Sequence, residues 1–320
     1  MNISVIGCGR WGTFHAVYSA DIGHKVILWG REGSENMRQL MQERKNEYIA
    51  LPDSVELTQD IAYAVDSSEY IIISISSQKL RDFLQSVREL DFSKKVLILC
   101  MKGIEQGSGK RLTQVVEEFL PRVPVAIWVG PGHVQNYVQK IPNCMVVDSK
   151  DKEITARIVR DFNTHLMRLY IGEDIIGAEI GAAAKNVIGI AAGMLDGMGY
   201  TSLKGALMAR GAREVSRLIK AMGGNELTAY GLSHLGDYEA TLFSPYSNNR
   251  RFGEAYVKKE AFDKLAEGMY TTDAMLLLAE RNNVDIPITK GVKDILYYHK
   301  DPKDVMKELF IRAVKTEFDN

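Results

Sequence analysis

The feature that most restricts the fold is a rhythm that fills the first half of the chain and then stops. Apolar, β-rich runs at residues 3–6, 25–29, 70–75, 96–100, 125–129, 144–147 and 166–171 are nearly continuous rather than alternating, as strands covered on both faces are. Helix-period stretches at 13–22, 35–45, 80–90, 110–119 and 154–162 separate most of them. Repeated strand–helix–strand units of this kind predict a doubly wound, mostly parallel sheet. The rhythm ends near Gly172. Beyond Asp174 only helical patterns follow, at 175–198, 203–222, 251–259, 270–282 and 302–310, punctuated by Gly223-Gly224 and by glycines between 231 and 236. The expected architecture is α/β over residues 1–172, followed by an all-α-helical domain over 173–320.

A chain of 320 residues accommodates two such domains. With 25% charged and 46% hydrophobic residues it reads as an ordinary globular protein. A net charge of −1 gives no steering towards nucleic acid. Cys8, Cys100 and Cys144 are too scattered for a disulfide framework or a metal site, and each sits in or beside an apolar run as small core filler. The chain opens directly on a strand rather than on a basic and then apolar leader, and no uncharged apolar run reaches the ~20 residues of a membrane span. The expectation is a cytoplasmic protein with no metal, no membrane span and no nucleic-acid partner.

Directly after the first apolar run, "VIGCGRWG" sets Gly7, Gly9 and Gly12 in a G-x-G-x-x-G pattern that opens a helix. That context makes the pattern a Rossmann dinucleotide fingerprint: one glycine turns the chain, one admits a pyrophosphate, one lets helix pack on sheet. The next strand ends in Trp29-Gly30-Arg31, where an acid would suit the ribose diol of NADH. Arg31 suits the 2′-phosphate of NADPH, so NADPH is the expected cofactor with NADH also accepted; a solvated loop charge is the other reading. Ligands in such sheets gather at the carboxyl ends of strands. Ser76, Lys102 and the Gly130–Gly132 turn stand there. Lys102 could hold a phosphate, polarise a carbonyl, or be an ordinary loop lysine.

The helical half contains one oddity. In "GAAAKNVIGIAAG", Lys185 has no acid at three or four residues' spacing. A lysine placed among small apolar residues needs an anion from elsewhere or a wet cleft. Asp237, in "GLSHLGDYEAT", is a candidate partner; a helix cap is its alternative role.

These residues together resemble the soluble NAD(P)-dependent glycerol-3-phosphate dehydrogenases along nearly the whole chain. The matching stretches are Gly7 to Thr13, Ser76 to Arg81, Lys102-Gly103, "EIGAAAKNVIGIAAG" from Glu179, "ARGAREVSRL" from Ala209, Gly231 to Thr241, and Glu267-Gly268. The resemblance implies that Lys185 is the general acid when dihydroxyacetone phosphate is reduced. It implies that Lys102, Asn186, Asp237 and Thr241 surround the reacting carbonyl. It gives cofactor contacts to Gly7, Gly9, Arg10, Trp11, Gly12, Arg31, Ser76, Lys102, Val134 and Glu267. It gives substrate contacts to Lys102, Gly130, Gly132, Lys185, Asp237, Ser247, Asn248, Asn249 and Arg250, and it implies a homodimer.

Three departures stand against that pattern. The family's hydroxyl side chain after Gly130-Pro131 is Gly132 here, with Asn136 where an acid is usual. The segment from Asn46 is shortened. In "SNNRRFG" from Ser247, the arginine that should face the substrate phosphate is Asn248. The lysine and aspartate are retained, so hydride transfer is the firmer expectation. Another phosphorylated or phosphonylated hydroxy compound remains an alternative substrate, and a non-catalytic dinucleotide-binding regulator a remote one.

Overall fold

β1 (Asn2–Ile6) runs into the glycine loop and out along α1 (Arg10–Asp21). The structure is a computed structural model, and it describes residues 1–311, 316 and 317. Around β1 a sheet assembles from β2 (Lys25–Trp29), β3 (Val55–Thr58), β4 (Tyr70–Ile73), β5 (Val96–Leu99), β6 (Val125–Val129), β7 (Asn143–Ser149) and β8 (Met167–Ile171). The order is β3-β2-β1-β4-β5-β6-β7-β8. The chain winds one way from β1 to β3 and the other way from β4, so the direction reverses beside β1. That reversal leaves a crevice at the carboxyl ends of the strands, where doubly wound folds bind ligands. The helices of this part are α1, α2 (Glu35–Glu43), α3 (Ile61–Asp66), α4 (Leu80–Ser86), α5 (Leu112–Phe119), α6 (Val134–Val138) and α7 (Lys152–Phe162). Trp128, Tyr18, Tyr70, Phe14 and Phe162 are buried in its core.

Seven strands are expected and eight form. The addition, β3, is an edge strand whose sequence alternates apolar and polar residues, Val-Glu-Leu-Thr, with only Val55 buried, so it lacks the continuous apolar run of its neighbours. β7 lies antiparallel to β6 and parallel to β8, so the sheet is mostly rather than wholly parallel.

The second part is helical among the described residues: α8 (Ile175–Gly197), α9 (Lys204–Ala221), α10 (Asn248–Lys258), α11 (Gly268–Arg281), α12 (Pro287–Tyr298) and α13 (Pro302–Phe310). The helix α12 is one the sequence pattern does not mark. α8 is long and apolar enough to cross a membrane by length and composition, but 89% of that window is buried inside the protein, as in a core helix. α8 and α10 meet backbone to backbone: a Cβ on Gly193 would lie 1.8 Å from the Arg250 carbonyl oxygen, and one on Gly253 2.1 Å from that of Ile190. This approach brings the start of α10 beside the middle of α8.

Two units result, one of 1–101 with 112–175, the other of 102–111 with 176–320. A single cut near 172 would leave 102–111 with the sheet. Instead, Ile104 joins the apolar core of the helical unit, Arg111 forms a buried ion pair with Glu179 of α8, and Arg281 of α11 donates to the Ser108 carbonyl. The excursion after β5 is thus bound into the helical unit by both packing and charge.

Candidate active site

In the first unit, Gly7 adopts φ +108°, a conformation open to glycine, and a Cβ there would lie 2.3 Å from the Ser74 carbonyl oxygen. A Cβ on Gly12 would lie 1.7 Å from the Gly7 carbonyl oxygen, so the first turn of α1 is pressed onto the loop. Gly9 is different: nothing lies within 4 Å of where its Cβ would point. It precedes α1 without a side chain to cap it, and the first turn of α1 carries no acid. The open space beside Gly9 lies at the start of α1, the end of a helix that favours a phosphate. It fits the pyrophosphate of a dinucleotide.

Around the loop, Arg10 lies over the Tyr48 ring at 5.0 Å, and Trp11 packs on Phe14 and His15. Gly132 approaches Trp11 so closely that a Cβ would meet the indole at 2.7 Å. The departure at Gly132 therefore makes room for Trp11. Gly130 has φ +131° and abuts the Met145 backbone; Val134 is fully buried at the start of α6. Arg31 is exposed at the tip of β2, and its charge acts on the Cys8 thiol inside the glycine loop. Ser76 precedes a short 3-10 turn that leads into α4.

The second unit holds a denser arrangement. Asp237 lies in a 3-10 turn, 1% exposed, and one oxygen of its carboxylate takes two ammonium groups: Lys102 at 2.5 Å and Lys185 at 3.0 Å. The acid that Lys185 lacks within its helix thus comes from a turn some fifty residues on, and Asp237 is not a helix cap. Lys185 also donates to the Thr241 hydroxyl at 2.8 Å, and that hydroxyl donates to the Asp237 carbonyl at 2.8 Å. Thr241 sits in a π-helical turn (Glu239–Phe243), a geometry often found at functional sites. The Asn186 amide donates to the Lys102 carbonyl at 2.9 Å and accepts from Asn249 at 3.0 Å, while Asn249 accepts from the Gly268 amide at 2.9 Å.

Electrostatics follow from this crowding. Burial lowers the Lys185 pKa, attraction to Asp237 opposes that, and the neighbouring Lys102 charge lowers it further, to about 8. A lysine titrating there can both give and take a proton near neutral pH, which is what acid–base catalysis asks of it.

The amino-terminal family model for NAD-dependent glycerol-3-phosphate dehydrogenase matches residues 2–155, and the carboxy-terminal model of the same family matches 174–307. The chain belongs to this family. Glycerol-3-phosphate dehydrogenase (NAD(P)+) of Chlorobium phaeobacteroides (strain BS1) is 37% identical, the match spanning 99% of each chain. That of Geobacillus kaustophilus (strain HTA426) is 35% identical over 100% of this chain and 97% of its own. The crystal structure of glycerol-3-phosphate dehydrogenase from Coxiella burnetii superposes with a TM-score of 0.90 at 28% identity, covering 97% of this chain and 99% of that one. As a family member this chain is an NAD(P)-dependent oxidoreductase.

Within the glycerol-3-phosphate dehydrogenase scaffold, the departure at Asn248 has a clear local setting. The Asn248 amide donates to the Leu265 carbonyl at 3.3 Å. Arg250 does not stand in for the missing guanidinium: it is held by Asp196 at 2.7 Å, by Glu254 at 3.0 Å and by the Ser244 carbonyl at 3.2 Å. Ser247 caps α10, accepting from the Arg250 amide. Glu267 precedes α11. Asp196 also takes Lys204 at 2.6 Å, and Lys204 donates to the Leu242 carbonyl inside the π-helical turn. Asp196, Lys204, Arg111 and Glu179 were not visible as partners in the sequence. Their only signal is charge inside otherwise apolar or glycine-rich helical stretches, which names no partner.

Proposed function

We propose that the protein interconverts dihydroxyacetone phosphate and sn-glycerol 3-phosphate with NADPH or NADH, with Lys185 as the proton donor in reduction. The observation that carries this reading is the convergence of two lysines on one oxygen of a buried aspartate. When bound, the nicotinamide supplies the hydride to the carbonyl carbon. Gly7, Gly9 and Gly12 would hold the pyrophosphate, Arg31 a 2′-phosphate, and Arg10, Trp11, Ser76, Val134, Lys102 and Glu267 further parts of the cofactor. Lys185 carries three N–H bonds. Two of them are aimed by Asp237 and Thr241, which leaves one to direct at the substrate oxygen as its negative charge develops. Lys102 adds a second positive charge to the same place, the kind of preorganised stabilisation that lowers a barrier most. Asn186 and Asn249 hold the backbone of Lys102 in register. The family resemblance gives further substrate contacts to Gly130 and Gly132 in the first unit and to Ser247, Asn248, Asn249 and Arg250 in the second.

Consumption of NADPH on adding dihydroxyacetone phosphate to the purified protein at neutral pH tests this directly. A protein that binds NADPH but leaves its absorbance unchanged refutes it. One observation favours a second reading: with Asn248 in place of arginine and Arg250 engaged by carboxylates, the substrate's far end lacks a charge-assisted contact worth about 1.5–3 kcal/mol. On that reading the substrate is another phosphorylated or phosphonylated hydroxy compound, and a panel of such compounds and their ketones separates the two. We also infer a cytoplasmic homodimer, supported by the family resemblance and by exposed Tyr298, Phe310 and Ile311 on the helical unit. A monomer in sedimentation velocity would overturn the dimer.

A further inference from the structure

Beneath the lysine centre lies a polar pair that the chemistry above does not use. His234 is fully buried, three residues before Asp237. Its Nδ1 lies 2.8 Å from the Gly181 carbonyl oxygen, and its Nε2 lies 2.7 Å from the Tyr238 hydroxyl. A carbonyl can only accept, so Nδ1 carries the hydrogen. Burial lowers the imidazole pKa to about 4, so the ring is neutral at working pH and Nε2 accepts from the tyrosine. Every hydrogen-bonding atom of the ring is thereby assigned.

The positions of these contacts matter. Gly181 is four residues before Lys185 in α8, so its carbonyl is the helix acceptor for the Lys185 amide; His234 gives that carbonyl a second bond. On the other side, the Asp237 amide donates to the His234 carbonyl at 3.0 Å. One residue therefore touches both the helical turn that carries the lysine and the turn that carries its aspartate. The space is made by two glycines. A Cβ on Gly181 would lie 2.9 Å from the His234 Cβ, and one on Gly211 of α9 would lie 3.2 Å from the Tyr238 hydroxyl. The charged groups facing the pair are Lys185 on α8, Asp237 on its own turn and Glu214 on α9; Lys102 from the 102–111 excursion faces Lys185.

We propose that His234 and Tyr238 are positioning residues, a neutral imidazole clamped between the Gly181 carbonyl and the Tyr238 hydroxyl that sets the separation of Lys185 from Asp237. This rests on the reading of Lys185 as proton donor. If the clamp is released, Asp237 attracts Lys185 less, while burial and the Lys102 charge continue to act. The lysine then titrates lower.

The test titrates the Lys185 amine without substrate or cofactor, by trace acetylation with acetic anhydride across pH and peptide-by-peptide mass spectrometry. His234→Leu should lower the midpoint by about half a unit or more. His234→Asn, whose side-chain amide can still donate to the Gly181 carbonyl, should stay within about 0.2 units of the parent. Tyr238→Phe, which removes one hydroxyl at constant shape, should fall between. In turnover, His234→Leu should lose about tenfold in kcat with KM changed less than about twofold. An unchanged or raised midpoint in a folded His234→Leu protein overturns the proposal, as does failure of His234→Asn to restore it. Should His234→Leu not fold, an unchanged midpoint in Tyr238→Phe overturns it equally. A parent protein inactive on dihydroxyacetone phosphate would refute the proposed reaction, while the amine titration would still decide the clamp.

Discussion

The glycine loop of the first unit and the lysine centre of the second do opposite things with side chains. The loop works by omission. Within six consecutive residues, Gly7 and Gly12 let backbone touch backbone and Gly9 leaves a space open. The lysine centre works by accumulation: Lys102, Lys185, Asn186, Asp237, Thr241 and Asn249 come from four separate segments and are joined by hydrogen bonds between 2.5 and 3.0 Å. A site made of backbone and space is local, so its chemistry is written contiguously. A site made of side chains exists only after the fold has brought distant segments together, and each member depends on the others.

The contrast predicts separable failures. Lys185→Met should break the second site and spare the first, giving the largest effect on turnover: a fall in kcat of about 10³-fold, the range expected for losing a positioned general acid. Dinucleotide affinity, read by fluorescence titration, should stay within about twofold of the parent. Retention of a tenth of the activity would remove Lys185 from the proposed role. The pH profile sharpens the same point. The folded pKa of Lys185 is lowered to about 8 from 10.5, so the ammonium that the proposed role requires for reduction disappears as pH rises through 8. Reduction should therefore lose about tenfold per pH unit above that point. Oxidation of the alcohol, which needs the neutral amine, should gain as pH rises through the same value.

The loop offers the converse test, with two substitutions that differ by one methyl each. Gly12→Ala places a carbon against the Gly7 carbonyl, which is backbone and cannot swing aside. It should destabilise the fold by about 3 kcal/mol, visible in a denaturation curve, and abolish measurable dinucleotide binding. Gly9→Ala meets nothing in the protein. It should fold with stability within about 0.5 kcal/mol of the parent and yet bind the dinucleotide tenfold or more weakly, because the methyl occupies the space left for phosphate. Equal binding by Gly9→Ala would show that the opening is not the phosphate seat.

The same contrast explains what could be read beforehand. The strand–helix rhythm, the glycine loop and the isolated Lys185 are local patterns, and each appears in the structure where the pattern put it. β3 escapes because a four-residue edge strand that reads Val-Glu-Leu-Thr has no apolar run to set it apart from a loop. The helix α12 escapes because Ile286 before it offers no capping side chain; its first turn is capped instead by Glu214 from α9, which accepts from the Ile288 and Thr289 amides. No local signal could announce that cap. The excursion 102–111 reads as a loop of the sheet, and its allegiance to the helical unit depends on Ile104 and on the pairing of Arg111 with Glu179, partners 68 residues apart. Arg250 has the residue type for a phosphate contact, yet Asp196 and Glu254 claim its guanidinium.

Arg31 is where the first unit should use a side chain to discriminate, and so where the contrast has its smallest expected effect. It stands at the tip of β2, exposed, close enough to the glycine loop for its charge to act on Cys8. A 2′-phosphate held there would gain a charge-assisted contact, weakened by solvent because the guanidinium is exposed. Arg31→Ser should therefore raise KM for NADPH by about five- to tenfold, on the order of 1 kcal/mol, and leave KM for NADH within about twofold. Neither kcat nor the pH profile should move, since the lysine centre shares no atom with this tip. A parallel loss with both cofactors would make Arg31 part of general loop structure, and the first unit would then read its ligand through backbone and space alone.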